Sequence, residues 1–159
     1  NRHYGAGPNI PSINAFTISV CVNITGGSGG RDAIGGRAAN TSNTLECLFY
    51  NGSTPSNAGI ISATDADTLP DVLDHNTDFH LVIGIDEISQ VSRWSINGVT
   101  QDLTDSAQVS ALNAFFIGNP VTTTGAASSG LIGTASRIAY YPRLLSAAEM
   151  ESLWDAVPK

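Results

Sequence analysis

The side chains that could do chemistry are few, and their spacing decides what each can do. Hydrolysis of a glycosidic bond needs two flanking carboxylates, one as acid and one as base or nucleophile. The nearest run is Asp86-Glu87, between Ile85 and Ile88. It falls where the pattern predicts a hairpin turn, so it reads as a solvated turn, and no catalytic residue is assigned. A second acidic group, Asp65, Asp67, Asp71, Asp74 and Asp78, crowds a single connection. Calcium takes several oxygen ligands from loops of this kind. The spacing is not that of an EF-hand, because no glycine follows Asp67 at the turn position and no glutamate closes the loop. No metal site is assigned, and calcium is the one ion the loop could serve. Asp71 reads equally as the cap of a helical turn begun by Pro70.

The remaining candidates are weighed in the same way. His3, His75 and His80 are dispersed and show no metal-ligand spacing, and His80, in mid-strand, reads as structural. The stretch GGSGGR at 26–31 lacks the Gly-Lys-Ser/Thr ending of a phosphate loop, and a strand follows where a helix is required. Exposed aromatic rings can stack on sugars. Trp94 shares a strand face with Ile96 and Trp154 lies on a helix's apolar face, so both are expected in the core. Tyr50, at a strand end beside the Asn51-Gly52 turn, is a better exposed candidate, with His75 and Tyr4 after it. Asn, Thr and Asp side chains of nearby loops would supply orienting hydrogen bonds. The ligand-binding residues expected are Tyr50, Asn51, Asp65, Asp67 and His75. Asn23, Asn40 and Asn51 fit the glycosylation pattern, which arises easily by chance in a chain this rich in Asn, Ser and Thr. Cys21 and Cys47 sit in predicted strands. They read as two buried thiols, although adjacent strands could also bring them into a disulfide.

The elements that must position these residues follow from periodicity. Phe16, Ile18, Val20, Val22 and Ile24 alternate along FTISVCVNI, which predicts a core strand. Further strands are expected at 33–38, 44–50, 58–63, 79–86, 90–97, 99–103, 112–118 and 131–141, with 64–78 as a long irregular connection. Asn51-Gly52 and Asn97-Gly98 signal hairpin turns. Pro142 ends the last strand. Ser146-Ala147-Ala148-Glu149 is a capping box, Leu145 and Met150 can staple its start, and Met150, Leu153, Trp154 and Val157 make one apolar helix face. So short a helix must dock on something. Nine or ten short strands with regular turns and one terminal helix predict an all-β, antiparallel two-sheet jelly-roll sandwich. Residues 1–14 read as a linker-like lead-in, and 15–159 as the sandwich.

The bulk numbers narrow the partners. The chain has 159 residues, enough for one domain with a real core, and a net charge of −7. An acidic surface poor in Lys and Arg excludes nucleic acid as an expected partner. No run has the length of a membrane-spanning helix, so no membrane insertion is expected. The chain opens on Asn1 rather than Met, which reads as a piece of a longer protein.

With the strands in order, the chain resembles a concanavalin A-like lectin/glucanase jelly roll of the laminin G-like type. FTISVCVN resembles an early strand that usually ends near a Trp, and Cys21 stands in that place. FHLVIGIDEISQVSRWSINGV, from Phe79-His80 to Asn97-Gly98, resembles the family's paired strands, and FFIGNP a strand ending in Ile-Gly. GTASRIAYYPRLLSAAEMESLW resembles the closing strand and helix, with Gly133, Ile138, Tyr141, Arg143, Leu145, Ser146, Glu149 and Leu153 in matching places. The match spans roughly 14–157, with Ser136 where the family often has an acidic residue. Laminarinase-like hydrolases of this superfamily carry Glu-x-Asp-x-x-Glu on one strand. Asp86 lacks the preceding Glu. The resemblance implies a non-catalytic carbohydrate-binding or receptor-recognition module, with a cell-surface glycan or polysaccharide as partner. Its other readings are a structural trimerisation or capping domain and a glycan hydrolase. The Ser/Thr/Ala/Gly/Asn-rich, acidic composition is similar to a piece of a bacteriophage tail fibre or tailspike. That implies a homotrimer through the parent protein and a virion or extracellular location.

Overall fold

The computed structural model describes residues 14–25, 31–38, 44–50, 56–61, 66–74, 76–103, 112–117 and 133–158. In chain order they form β1 (Ala15–Ile24), β2 (Arg31–Ala38), β3 (Thr44–Tyr50), β4 (Ser56–Ile61), β5 (Ala66–Leu73), β6 (Asp78–Asp86), β7 (Val91–Ile96), β8 (Val99–Leu103), β9 (Leu112–Ile117), β10 (Gly133–Tyr141) and α1 (Ala147–Asp155). The strands make two five-stranded sheets, ordered β10-β1-β6-β7-β8 and β5-β4-β3-β2-β9. Every pairing is antiparallel. Strands distant in sequence lie side by side, β1 between β10 and β6 and β2 beside β9. That crossing order is the jelly-roll sandwich expected from the strand pattern.

In the first sheet the alternation of β1 does what its sequence dictates. Phe16, Ile18, Val20 and Val22 are buried opposite Ile85, Ile83, Leu81 and Phe79 of β6, and Ile83 is in turn opposite the buried Trp94 of β7. Residues directly opposite in an antiparallel pair share a face, so these side chains form one apolar layer. Each such side chain fully withdrawn from water contributes about 1.5–3 kcal/mol.

The other face of this sheet is covered by α1. Ser146 caps the helix: its Oγ accepts from the Glu149 N–H, and the Glu149 carboxylate accepts from the Ser146 N–H at 2.8 Å. Leu145 and Met150 staple the first turn and are buried with Val82 of β6, and Tyr141, Leu144 and Leu153 pack around them. Two glycines admit the helix. A Cβ on Gly84 would lie 2.6 Å from Leu144 Cδ1 and 2.8 Å from Met150 Cε, and one on Gly98 would lie 2.5 Å from Trp154 Cδ1. Gly98 also has φ +82°, and with Asn97 at φ 50° it forms the expected hairpin turn, both central residues left-handed.

The irregular connection expected at 64–78 is corrected. Ala66–Leu73 is β5, at the edge of the second sheet. Asp67 is paired with Ile60 within it, and Asp71 caps no helical turn. Pro70 argues against an interior strand, but an edge strand with a register irregularity tolerates it. Leu69 is opposite Ala58 and Leu73 opposite Ser56, so Pro70, Asp71 and Val72 stand against Asn57 alone. The missing N–H falls where the ladder is already broken. The Asn51-Gly52 turn lies outside the described residues. No described helix is long and apolar enough to cross a membrane.

Candidate functional site

Past the end of α1, the outer face of the first sheet is left open as a groove of about 430 Å³. Its floor is built from two rungs of aligned side chains. Ser136, Cys21 and His80 are opposite one another on β10, β1 and β6, and Thr134, Asn23 and Asp78 form the next rung. All six line the groove, and Trp154, Val157 and Pro158 wall it from the helix side. The alternation that buries Val22 and Phe79 in the apolar layer therefore turns the polar partners outward.

Arg137 joins them through an irregularity. Ser19 is opposite Ala139 and Cys21 opposite Ser136, so β10 carries one extra residue, and Arg137 has φ 52°. Such a bulge re-aims a side chain that strict alternation would send to the other face, and Arg137 lines the groove beside Ser136.

The polar contacts are specific. Asn23 Nδ2 donates to Asp78 Oδ1 at 2.7 Å, while Asn23 Oδ1 is buried without a hydrogen-bond partner. His80 is buried, its Nε2 hydrogen-bonded to Ser19 Oγ at 2.8 Å and its Nδ1 without a partner. The His80 ring stacks on Trp154, centroids 6.1 Å apart and planes 18° from parallel. Burial lowers the His80 pKa below the usual imidazole range and so favours the neutral ring. Burial also raises the Cys21 pKa, with the Arg137 charge working against that rise and Asp78 adding to it. Cys21 is a free thiol. It is not an activated nucleophile, because its thiolate is disfavoured and the Nε2 of the neighbouring imidazole is engaged by Ser19. The groove therefore offers hydroxyls, an amide, a carboxylate, a guanidinium and a half-buried indole, a set suited to holding a small polar ring rather than to covalent chemistry.

The residues expected to bind ligand lie elsewhere or outside the described residues. Tyr50 ends β3 and Asp67 lies in β5, both in the second sheet, while Asn51, Asp65 and His75 fall outside the description. Asp86 serves its turn: its Oδ1 accepts from the Ile88 N–H at 3.0 Å, and hydrogen bonding from Ser89 lowers its pKa. Among the described residues no group of three or more His, Cys, Asp or Glu is arranged to hold a metal. Trp154, expected in the core, is half-buried and forms a wall of the groove. Cys21 and Ser136, the two departures from the resemblance, prove to be cross-strand partners on the groove floor. That coincidence was the sequence's signal for the site, and it could be read only once the register of β1 on β10 was known.

No family model and no curated protein sequence matches the chain. Solved structures do. The chain is similar to the CBM40 of the Ruminococcus gnavus IT-sialidase, bound there to α2,3 sialyllactose. Identity is 11%, TM-score 0.71, and the match covers 93% of this chain and 97% of that one. It is similar to the heptameric SAP-like pentraxin of Limulus polyphemus, at 10% identity and TM-score 0.74, covering 92% of this chain and 72% of that one. It also matches Trypanosoma rangeli sialidase at 19% identity and TM-score 0.65, over 88% of this chain but only 22% of the sialidase. The concanavalin A-like jelly roll expected from the sequence is the fold these proteins share with it.

Proposed function

We propose that this domain is a non-catalytic carbohydrate-binding module that holds a glycan in the groove beneath the end of α1. The observation that carries the reading is one of extent. The match takes in 97% of the sialyllactose-bound CBM40 of one sialidase, yet only 22% of the other sialidase chain. The groove supports it with an indole and hydroxyl, amide and charged groups in a volume within the roughly 300–1,000 Å³ typical of small-ligand sites. A shallow site of this kind binds modestly, and repetition in a multimer raises the avidity. The proposal therefore includes the setting suggested by composition, a recognition domain of a larger, homotrimeric virion or extracellular protein. The test is a glycan array that includes sialyllactoses and bacterial surface polysaccharides, followed by titration of the best ligand. Binding that is lost in Trp154→Ala and Ser136→Trp supports the reading. No binding to any glycan overturns the function, and binding unchanged in both variants overturns the site.

A further inference from the structure

A buried imidazole stacks against the groove's aromatic wall. Trp154 is in the last turn of α1, half-buried, with Gly98 beneath it and His80 stacked against it. His80 is itself fixed on three sides: its N–H donates to Asn97 Oδ1 at 2.9 Å, its carbonyl accepts from the Asn97 N–H at 2.9 Å, and its Nε2 meets Ser19 Oγ. Every one of these contacts is available to the neutral ring. In the imidazolium both ring nitrogens carry a proton, and Nδ1 is buried and has no acceptor. We propose that His80 is the positioning residue of the groove, seating Trp154 while neutral and releasing it when protonated, so that whatever the groove holds is let go in mildly acidic surroundings.

The groups around the ring fit this reading. β1 presents Ser19 and the thiol of Cys21, neither charged. The β7–β8 turn presents Asn97 and Gly98. α1 presents Trp154 and Val157, and its charged Glu151 and Asp155 are exposed. Among the described residues the charges on the groove are Asp78, on the ring's own strand, and Arg137 on β10. They have opposite sign, and Asp78 is already bonded to Asn23. Attraction between an imidazolium and the indole face opposes the effect. Against it stand the loss of hydration and an unmet donor in a buried site. The direction of the pKa, set by burial, agrees that the latter prevail. The imidazolium then gains most by turning toward water, and the nearest water is in the groove, past Trp154.

The mechanism rests on the groove's walls and needs no assumption about the ligand, so it is tested without one. The histidine ring signals and tryptophan indole N–H signals of the wild-type domain would be followed by NMR from about pH 8 to about pH 4.5, spanning the ordinary histidine range. The expected result is that His80 titrates below the ordinary histidine range, and that Trp154 shifts with it while Trp94 does not. Acrylamide quenching of Trp154 fluorescence, isolated in a Trp94→Phe variant, should rise about twofold through the same transition. His80→Phe keeps a ring against Trp154 but no proton, and its Trp154 signals should be flat with pH. A His80 midpoint at or above the ordinary histidine value overturns the proposal, as does a Trp154 signal that ignores the His80 transition. The wild-type titration alone decides the matter should His80→Phe fail to fold. Glycan binding that persists unchanged across the transition also overturns it and leaves the glycan reading intact.

Discussion

The two halves of the outer face of the first sheet carry the same helix under different rules. At its start, α1 is over-determined. Thr17 Oγ1 donates to the Arg143 carbonyl at 2.9 Å and accepts from the Leu145 N–H at 3.0 Å. Arg93, paired with Asp102, donates to the Leu145 carbonyl at 2.8 Å. Arg143 and Glu149 form a two-pronged ion pair around the cap. Leu145 and Met150 are buried beneath all of this. At its end there is no basic residue in the last turn, a tryptophan half in water, and two buried polar atoms nearby, Asn23 Oδ1 and His80 Nδ1, without partners. The first half is what a structure does to fix an element. The second leaves a surface open; unpartnered buried atoms alone do not mark it, since Ser95 Oγ and Thr100 Oγ1 lie on the rung of Val82 under the helix start.

The contrast can be broken by truncation. Met150→Ala leaves a cavity in the fully buried half and should cost about 2–5 kcal/mol in chemical denaturation. Trp154→Ala removes the larger side chain and should cost less. Equal losses would mean that the helix end is as firmly set as its start. A smaller loss should come from adding volume instead. Gly84→Val must displace Leu144 and Met150, and overpacking of this kind typically costs about 1–3 kcal/mol. The groove rungs, beyond Val82 from Gly84, should still hold, visible as unchanged NMR shifts of Cys21 and Asn23.

The smallest effect sharpens the comparison by pH. The Arg143 guanidinium, with help from Ser146, lowers the Glu149 pKa from 4.5 to about 2. A carboxylate held low in the folded state stabilises the cap above its ordinary range and loses that contribution as pH falls through about 2. Because Glu149 is exposed, salt should weaken the effect. Helix ellipticity should decline between pH 4.5 and 2 in the wild type and stay flat in Glu149→Gln. The two ends of α1 thus answer to different titrating groups, Glu149 at the cap and His80 at the groove.

What could be read from the sequence was what local spacing encodes. The alternation of β1, the capping box at Ser146, the Leu145–Met150 staple and the Asn97-Gly98 turn are each written within a few residues, and each stands in the fold. β5 was missed because Pro70 is a local signal whose meaning depends on whether its strand lies at an edge, which is a property of the sheet. The groove was missed for a stronger reason of the same kind. Ser136, Cys21 and His80 come from three strands, and no periodicity within one segment announces that they share a rung. Trp154 was misjudged because helical spacing shows which side of α1 is apolar but not how far the sheet beneath it extends.

The place of β1 has a consequence for the order in which a ribosome delivers the chain. One neighbour, β6, follows some sixty positions later, but the other, β10, comes only at the end, and the Thr17–Arg143 bond joins residues 126 positions apart. Until β10 and α1 emerge, β1 has one open edge and its partner β6 has a bare outer face at Val82 and Gly84. Both are the kind of surface on which nascent chains stick to each other. Residues Gly133 through Asp155 close that edge and cover that face in one stroke, so β10 and α1 act as the latch of the whole first sheet.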